Sequence, residues 1–269
     1  MALRGTSADA LDAVSGALHG ALSGGADAEQ VGHDLFAVAG VLRAEPSLRR
    51  VATDPSLPAE AKQGLVTQIF ESKIAAPSLA VLGVAVGRRW TATRDLADAL
   101  EHVGVVAVVT SAEADSGRLA DELFGFGQVV TGSASLRDAL SDPARNIADK
   151  SALLHALLDG KTLPATVTLA EQALQGSYRT VSAALTAFQQ VAADVRDQKV
   201  ATVRVARPLS DGELERLAAA LTESYHRDVH LNVVVDPEVL GGIRVEIGDD
   251  VIDGTVVSRL DAARRKLAG

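Results

Sequence analysis

The chain has 269 residues and a formal net charge of −9, with 47% hydrophobic, 23% charged and 3% aromatic residues. This composition supports a packed core and excludes disorder along the whole chain. An acidic chain with few aromatic residues is also a poor nucleic-acid binder, because phosphates are repelled and unpaired bases need aromatic platforms. The absence of cysteine excludes disulfides, thiolate metal sites and a cysteine nucleophile.

Helical periodicity extends to about residue 198, because apolar residues recur up to there at spacings of three and four. We expect a leading helix at 7–22, a turn at 46–53, and further helices at 26–43, 58–72, 77–88 and 92–109. The end of the last helix, Val105–Val109, is β-branched and fits a short strand equally well. No apolar stretch approaches the ~20 residues that cross a bilayer, so membrane association is expected only through a complex.

The helical pattern repeats at an offset of 88 residues. Residues 35–73 and 123–161 share 11 identities in 39 ungapped pairs, against about three expected from average composition. The identities include Ser47-Leu48-Arg49 with Ser135-Leu136-Arg137, and Asp54-Pro55 with Asp142-Pro143. This pattern predicts a six-helix N-terminal bundle at 1–110 and a second, partial copy at 111–198, with no evident counterpart of the leading helix before the second copy.

Residues 199–269 predict a small α/β domain. Alternation at Lys199–Ala206 indicates a strand, and Ser210 with Glu213 forms a capping box before an apolar-periodic helix at Leu214–Tyr225. Two further strands are expected, then a Gly-Asp turn, a short strand at 251–252 and a final helix at 255–267; the two strands are His230–Asp236 and Ile243–Ile247. The expected fold is therefore mainly α, with a βαβ-type C-terminal unit that ends in a helix.

The sequence contains no recognisable catalytic or cofactor-binding constellation. His226 and His230 are four residues apart but flank a helix-to-strand junction, which favours surface or capping roles over metal binding. The acidic cluster Asp249, Asp250 and Asp253 lacks the spacing of a calcium loop and indicates a turn. Gly125-Phe126-Gly127 lies within a predicted helix and lacks the third glycine of a dinucleotide fingerprint. We expect no enzyme activity, no metal and no cofactor.

Residues 235–260 resemble the C-terminal signature of the delta subunit family of F-type ATP synthases, which includes the mitochondrial oligomycin-sensitivity-conferring protein. The resemblance depends on Asp236-Pro237 at a strand end, on Gly241-Gly242 before a strand, and on Asp253-Gly254 before the last helix. It is specific over about 200–268 and looser over the helical part. The family pattern has a single six-helix bundle, so the duplication is a departure, and with the high alanine content it suggests an actinobacterial type.

The resemblance implies a non-catalytic stator subunit that links the catalytic head of the synthase to its peripheral stalk. The implied partners are N-terminal helices of the alpha subunits and the stalk subunit b, with no nucleic acid. The implied location is peripheral, on the cytoplasmic face of a bacterial cell membrane. A helical adaptor or regulatory protein unrelated to the synthase is the alternative.

The family resemblance also implies where the head binds. The groove that receives the alpha-subunit helix involves the leading helix of the bundle, and here that helix carries Leu11, Val14, Leu18 and Leu22 at helical spacing. This spacing lets one stripe pack inward while flanking positions border the groove, and these residues define the candidate docking helix. The alternative is that the second copy binds the head, because it is contiguous with the C-terminal domain as in single-bundle relatives.

Overall fold

A computed structural model describes residues 3–196, 198–237, 239, 241–248 and 250–254. The chain divides into two compact units, a helical unit at 1–192 and a C-terminal unit at 193–269. The expectation of a mainly helical chain with a small α/β part near its C-terminus is confirmed. Within the described ranges, no helix is long and apolar enough to cross a membrane.

Successive α-helices joined by short connections form the helical unit. Their bounds are α1 Thr6–Ser23, α2 Ala28–Ala44, α3 Pro46–Ala52, α4 Ala59–Phe70, α5 Ala76–Gly87, α6 Asp95–Ser111, α7 Ser116–Gly132, α8 Ala134–Ser141, α9 Ile147–Leu158, α10 Pro164–Gln175 and α11 Val181–Val195. A 3₁₀ turn at Glu113–Asp115 joins α6 to α7.

Two segments, Pro46–Ala52 and Val105–Val109, are helical in the structure. The turn expected at 46–53 is wrong, because α3 is a short helix that begins at Pro46, where proline suits the first helical turn. The Thr53 hydroxyl donates to the Arg49 carbonyl at 2.9 Å and satisfies an orphan acceptor at the end of α3. The β-branched segment Val105–Val109 belongs to α6 rather than to a strand. Burial of this segment outweighs its strand propensity.

Helix bounds recur along the helical unit at the offset found in the sequence. α2 and α7 begin and end 88 residues apart, and the same holds for α4 with α9 and for α5 with α10. The connections before α2 and α7 also correspond: Gly25 has φ +88° and Glu113, 88 residues later, has φ +45°. Each chain reversal therefore uses a left-handed residue at the equivalent position.

Two hydrophobic cores fill the helical unit, and α6 contributes to both. The first core contains Leu96, Leu100 and Val103 of α6, packed with residues of α1, α2, α4 and α5. The second contains Val105 and Val108 of α6, packed with residues of α7, α9, α10 and α11. The long apolar run of α6, which sequence periodicity leaves ambiguous, follows from this burial on several sides.

The crossing of α2 and α6 is unusually close because glycines lie on both helices. A Cβ atom added at Gly104 would lie 2.7 Å from Cε1 of Phe36, and one added at Gly32 would lie 2.5 Å from Cγ2 of Val108. Neither position has room for a side chain without movement of a buried neighbour. The two glycines therefore set the distance between α2 and α6.

The described part of the C-terminal unit forms a four-stranded sheet with one helix packed on it. Its elements are β1 Lys199–Val205, α12 Asp211–Tyr225, β2 Val229–Val235, β3 Ile243–Ile247 and β4 Asp250–Asp253. The strand order is β2-β1-β3-β4, with β1 and β2 parallel and the other pairs antiparallel. This confirms the predicted βαβ connection. The expected final helix at 255–267 lies outside the described residues.

Helix α12 begins at Asp211, three residues before the predicted Leu214, because its N-terminus is capped by a side chain. The Glu213 carboxylate accepts hydrogen bonds from the Ser210 backbone N–H at 2.8 Å and from the Ser210 hydroxyl at 2.9 Å. The Arg207 guanidinium donates to the same carboxylate at 2.7 Å and, with Ser210, lowers the pKa of Glu213 to about 2. The carboxylate is thus charged at neutral pH, which favours the helix start.

The close α2–α6 crossing predicts the effect of a single methyl group. We expect Gly104→Ala to lower the free energy of unfolding by about 1–3 kcal/mol, because the added Cβ overlaps the Phe36 ring. Gly64→Ala is the matched control, since Gly64 lies within α4 with no described atom near its Cβ position, and it should stabilise by up to about 1 kcal/mol. Urea unfolding of both variants measures this; equal stability of Gly104→Ala and wild type would contradict the close approach.

Candidate partner-binding surfaces

The predicted docking helix is α1, and its predicted apolar residues face the bundle. Val14 and Leu18 are buried in the first core, and Leu11 and Leu22 are partly buried against it. These four side chains therefore hold α1 in place. A partner that touches α1 meets its other face.

That outer face of α1 is shallow and acidic at one end. Asp9, Asp12, Gly16 and Gly20 are exposed on it. No described atom lies within 4 Å of a Cβ built at Gly16 or Gly20. Residues spaced by four lie on one side of a helix, so the two glycines leave a smooth strip along which another helix can approach closely.

The N-terminus of α1 is fixed by a buried polar cluster that the sequence did not reveal. The Ser7 hydroxyl donates to the Asp95 carboxylate at 2.7 Å and accepts from the Thr91 backbone N–H at 2.8 Å. Asp95 also accepts from the Ala92 backbone N–H at 3.1 Å. Because Ser7 and Asp95 are buried, these bonds are protected from water and orient α1 on the bundle.

Equivalent carboxylates anchor α5 and α10. Asp34 accepts from the Ala75 backbone N–H at 2.8 Å and from the Ser78 hydroxyl at 2.7 Å. At the 88-residue offset, Glu122 accepts from the Leu163 backbone N–H at 2.8 Å and from the Thr166 hydroxyl at 2.6 Å. Each carboxylate therefore satisfies free donors at a helix N-terminus.

A second buried polar cluster joins α2, α6 and α10, and we call it the Glu101 network. Arg43 of α2 donates to Glu101 at 2.5 Å and to Asp98 at 3.2 Å. Gln172 of α10 donates to Glu101 at 2.8 Å, and the Ser177 backbone N–H donates at 3.0 Å. Burial raises the pKa of the Asp98 carboxyl, against the opposing effect of Arg43. Glu101 itself is only 2% exposed, so removing one partner would leave a buried charge poorly compensated.

The family-signature residues lie at one end of the C-terminal sheet. Asp236 follows β2 and donates its backbone N–H to the Val205 carbonyl at 2.8 Å. Gly254 follows β4 and donates its backbone N–H to the Ile243 carbonyl at 2.9 Å. The last β4 residue, Asp253, pairs with Arg244. The helix expected to follow Asp253-Gly254 lies outside the described residues.

Between β2 and β3 the chain turns at Pro237 and then at two glycines. Gly241 has φ +82° and Gly242 has φ +86°, a left-handed conformation that residues with a side chain rarely adopt. Gly242 immediately precedes Ile243, the first residue of β3. These residues build the sheet end and present no reactive group. Within the described part of the chain, no group of three or more His, Asp or Glu side chains is placed to hold a metal ion.

The left-handed backbone at Gly242 predicts a fold-specific defect. Gly242→Val should lower the stability of the C-terminal unit by about 1–3 kcal/mol, because a β-branched residue is strained at this φ. Thermal unfolding of the full chain, followed with hydrogen exchange of β3, measures the change. Gly212→Val is the control on an exposed helical glycine without positive φ. Unchanged protection of β3 in Gly242→Val would contradict the assignment.

Comparisons with known proteins identify the same family as the C-terminal signature does. The family model described as ATP synthase delta (OSCP) subunit matches residues 105–267. A Nocardioides protein named ATP synthase subunit delta is 55% identical over 99% of this chain and 98% of its own length. Proteins of the same name from Kineococcus radiotolerans and Salinispora arenicola are 45% and 43% identical over 91% and 97% of this chain, and over 90% and 94% of their own lengths.

Among solved structures, a chain of the Toxoplasma gondii mitochondrial ATP synthase hexamer matches with 21% identity and a TM-score of 0.32, over 57% of this chain and 97% of that chain. Similarity at that level supports no conclusion about the fold. The sequence relatives, by contrast, cover both the helical and the C-terminal units at high identity. The chain therefore belongs to the ATP synthase delta (OSCP) subunit family, which is structural rather than catalytic.

Proposed function

We propose that this chain is the non-catalytic stator subunit that links the head of an F-type ATP synthase to its peripheral stalk. The observation that carries the proposal is the 55% identity over nearly the whole chain with a protein named ATP synthase subunit delta. Relatives at 55%, 45% and 43% identity all carry this name, which favours the stator role over an adaptor unrelated to the synthase. In this role the chain is peripheral on the cytoplasmic face of the bacterial membrane and associates with it through the complex.

The division into two compact units suits a protein that holds two partners. In the proposed arrangement, the helical unit binds N-terminal helices of alpha subunits and the C-terminal unit binds the stalk subunit b. When one unit is bound, the other is held near its partner at high effective concentration. Modest affinity at each site is then enough to resist the torque of the rotor.

We further propose that the helical unit is an internal duplication. The recurrence of helix bounds supports it. So do the carboxylates Asp34 and Glu122, whose backbone and hydroxyl donors are themselves 88 residues apart. A chance similarity of helical composition would not reproduce hydrogen bonds between equivalent positions.

In this duplication, α6 serves as the last helix of the first repeat and the first helix of the second. α1 spans Thr6–Ser23, and at an offset of 88 residues its counterpart is α6, Asp95–Ser111. The participation of α6 in both cores supports this double role. The leading helix that the sequence comparison did not find for the second repeat is therefore supplied by the first.

We assign head binding to the first repeat, on the outer face of α1. The exposed strip at Gly16 and Gly20 supports this choice, since it leaves room for a second helix. The alternative is the second repeat, which the family model matches together with the C-terminal unit. The corresponding face of α6 is covered by α2, which argues against that alternative.

Copurification tests the proposed role. A tagged copy of the full chain, expressed in the organism that encodes it, should retain the alpha, beta and b subunits of the synthase from detergent-extracted membranes. Gly242→Val is the informative variant, because a weakened C-terminal unit should lose b before it loses alpha and beta. Recovery of none of these subunits by the wild-type chain would contradict the stator role.

Filling the strip on α1 tests the head-binding assignment. Gly16→Leu and Gly20→Leu should weaken binding of an alpha-subunit N-terminal peptide at least tenfold, because the side chains occupy the space of the incoming helix. Both variants should fold, since leucine has a higher helix propensity than glycine by roughly 0.8 kcal/mol. Gly64→Leu, on an exposed face of α4, is the matched control. Undiminished affinity, measured by calorimetric titration, would refute the assignment.

A further inference from the structure

We infer that α2 occupies, in the second repeat, the place that a partner helix takes in the first, so the chain has one open helix-binding face instead of two. The inference rests on the proposed function only for the identity of the partner helix. Closure of the second repeat follows from contacts within the helical unit. It assigns to α2 a role as the internal ligand of the second repeat.

Apolar contacts place α2 against two helices of the second repeat, α6 and α10. At the 88-residue offset, these are the equivalents of α1 and α5. The Phe36 side chain of α2 packs over Gly104 of α6. It belongs to the second core together with Val105 of α6 and Leu169 of α10. A helix of the first repeat thus contributes a buried aromatic side chain to the second.

The Glu101 network fixes α2 in this position. Arg43, eleven residues after Gly32, approaches the Glu101 carboxylate from α2, and Gln172 approaches it from α10. The Glu101 carboxylate is desolvated, so it depends on these donors for its stabilisation. A Cβ at Gly176 would overlap the same carboxylate. Because glycine has no side chain, the backbone after α10 can pass close to Glu101. An external helix would have to replace both the aromatic contact and the arginine.

The equivalent face in the first repeat carries no such cover. At the 88-residue offset, Gly104 corresponds to Gly16, Val108 to Gly20 and Glu101 to Ala13. Gly16 and Gly20 are exposed. Ala13 has no carboxylate, so α1 has no counterpart of the ion pair that Glu101 forms with Arg43. The exposed face of α1 in the first repeat therefore corresponds to the face of α6 that α2 covers in the second repeat.

The internal ligand also indicates which helix fits the open face. α2 presents a small residue, Gly32, and an aromatic residue, Phe36, one turn apart on the side facing α6. A partner helix that packs on Gly16 and Gly20 should present a small residue followed four positions later by a large apolar one. The exposed Asp9 and Asp12 favour basic residues beside that pair.

Stoichiometry tests the inference. In a calorimetric titration of the full chain with an alpha-subunit N-terminal peptide, we expect one peptide per chain, and we expect none with the Gly16→Leu/Gly20→Leu double variant. Two peptides per chain, or one retained by the double variant, would overturn the inference, because the second repeat would then be open. A wild-type chain that binds no peptide contradicts the head-binding proposal, and hydrogen exchange then decides the inference.

Hydrogen exchange tests, without any peptide, whether α2 covers the second repeat. We expect α2 amides to exchange as slowly as those of α6, and Arg43→Ala to accelerate exchange at least tenfold in both 28–44 and 164–177. Arg145→Ala, which removes an exposed ion pair to Asp142 between α8 and α9, is the control and should leave both segments unchanged. Rapid exchange of α2 in the wild type, or no effect of Arg43→Ala on 164–177, would overturn the inference.

Discussion

The close crossing of α2 and α6 is the contact on which the helical unit depends. α2 and α6 can approach this closely only where side chains are absent from the contact, and Gly32 and Gly104 are the two positions without one. The approach brings Phe36 into the second core while other α2 residues, such as Leu35 and Val38, remain in the first. Because close-packed interiors resist changes of even one methyl group, the crossing couples the two cores mechanically.

This coupling gives the proposed stator function a physical basis. A protein that transmits torque needs a rigid path between its partners, and two separately packed bundles joined by a linker would bend. Here α6 is shared, and the Glu101 network ties α2 and α10 to it by charge-assisted hydrogen bonds. The cost of burying Glu101 is offset by its several donors, and the network specifies one relative placement of the repeats.

The two proposed repeats share an internal frame and differ in their outer surfaces. The frame keeps a carboxylate, Asp34 or Glu122, at the start of the fifth helix of each repeat. The surfaces differ where Ala13 and Gly20 of α1 correspond to Glu101 and Val108 of α6. In the proposed duplication, divergence of this kind lets one copy pack on the other while the outer face of α1 stays exposed.

The sequence by itself determined the helical periodicity, the 88-residue offset, the strand alternation and the C-terminal signature, because each is a local pattern of side chains. It could not assign Val105–Val109, since strand propensity and helical burial conflict there and only packing on two cores decides. It also identified on α1 an apolar stripe able to pack inward, and Val14 and Leu18 of that stripe are buried in the first core. Only the tertiary structure shows which face of α1 is exposed and that α2 covers the corresponding face of α6, because these contacts join segments far apart in the sequence.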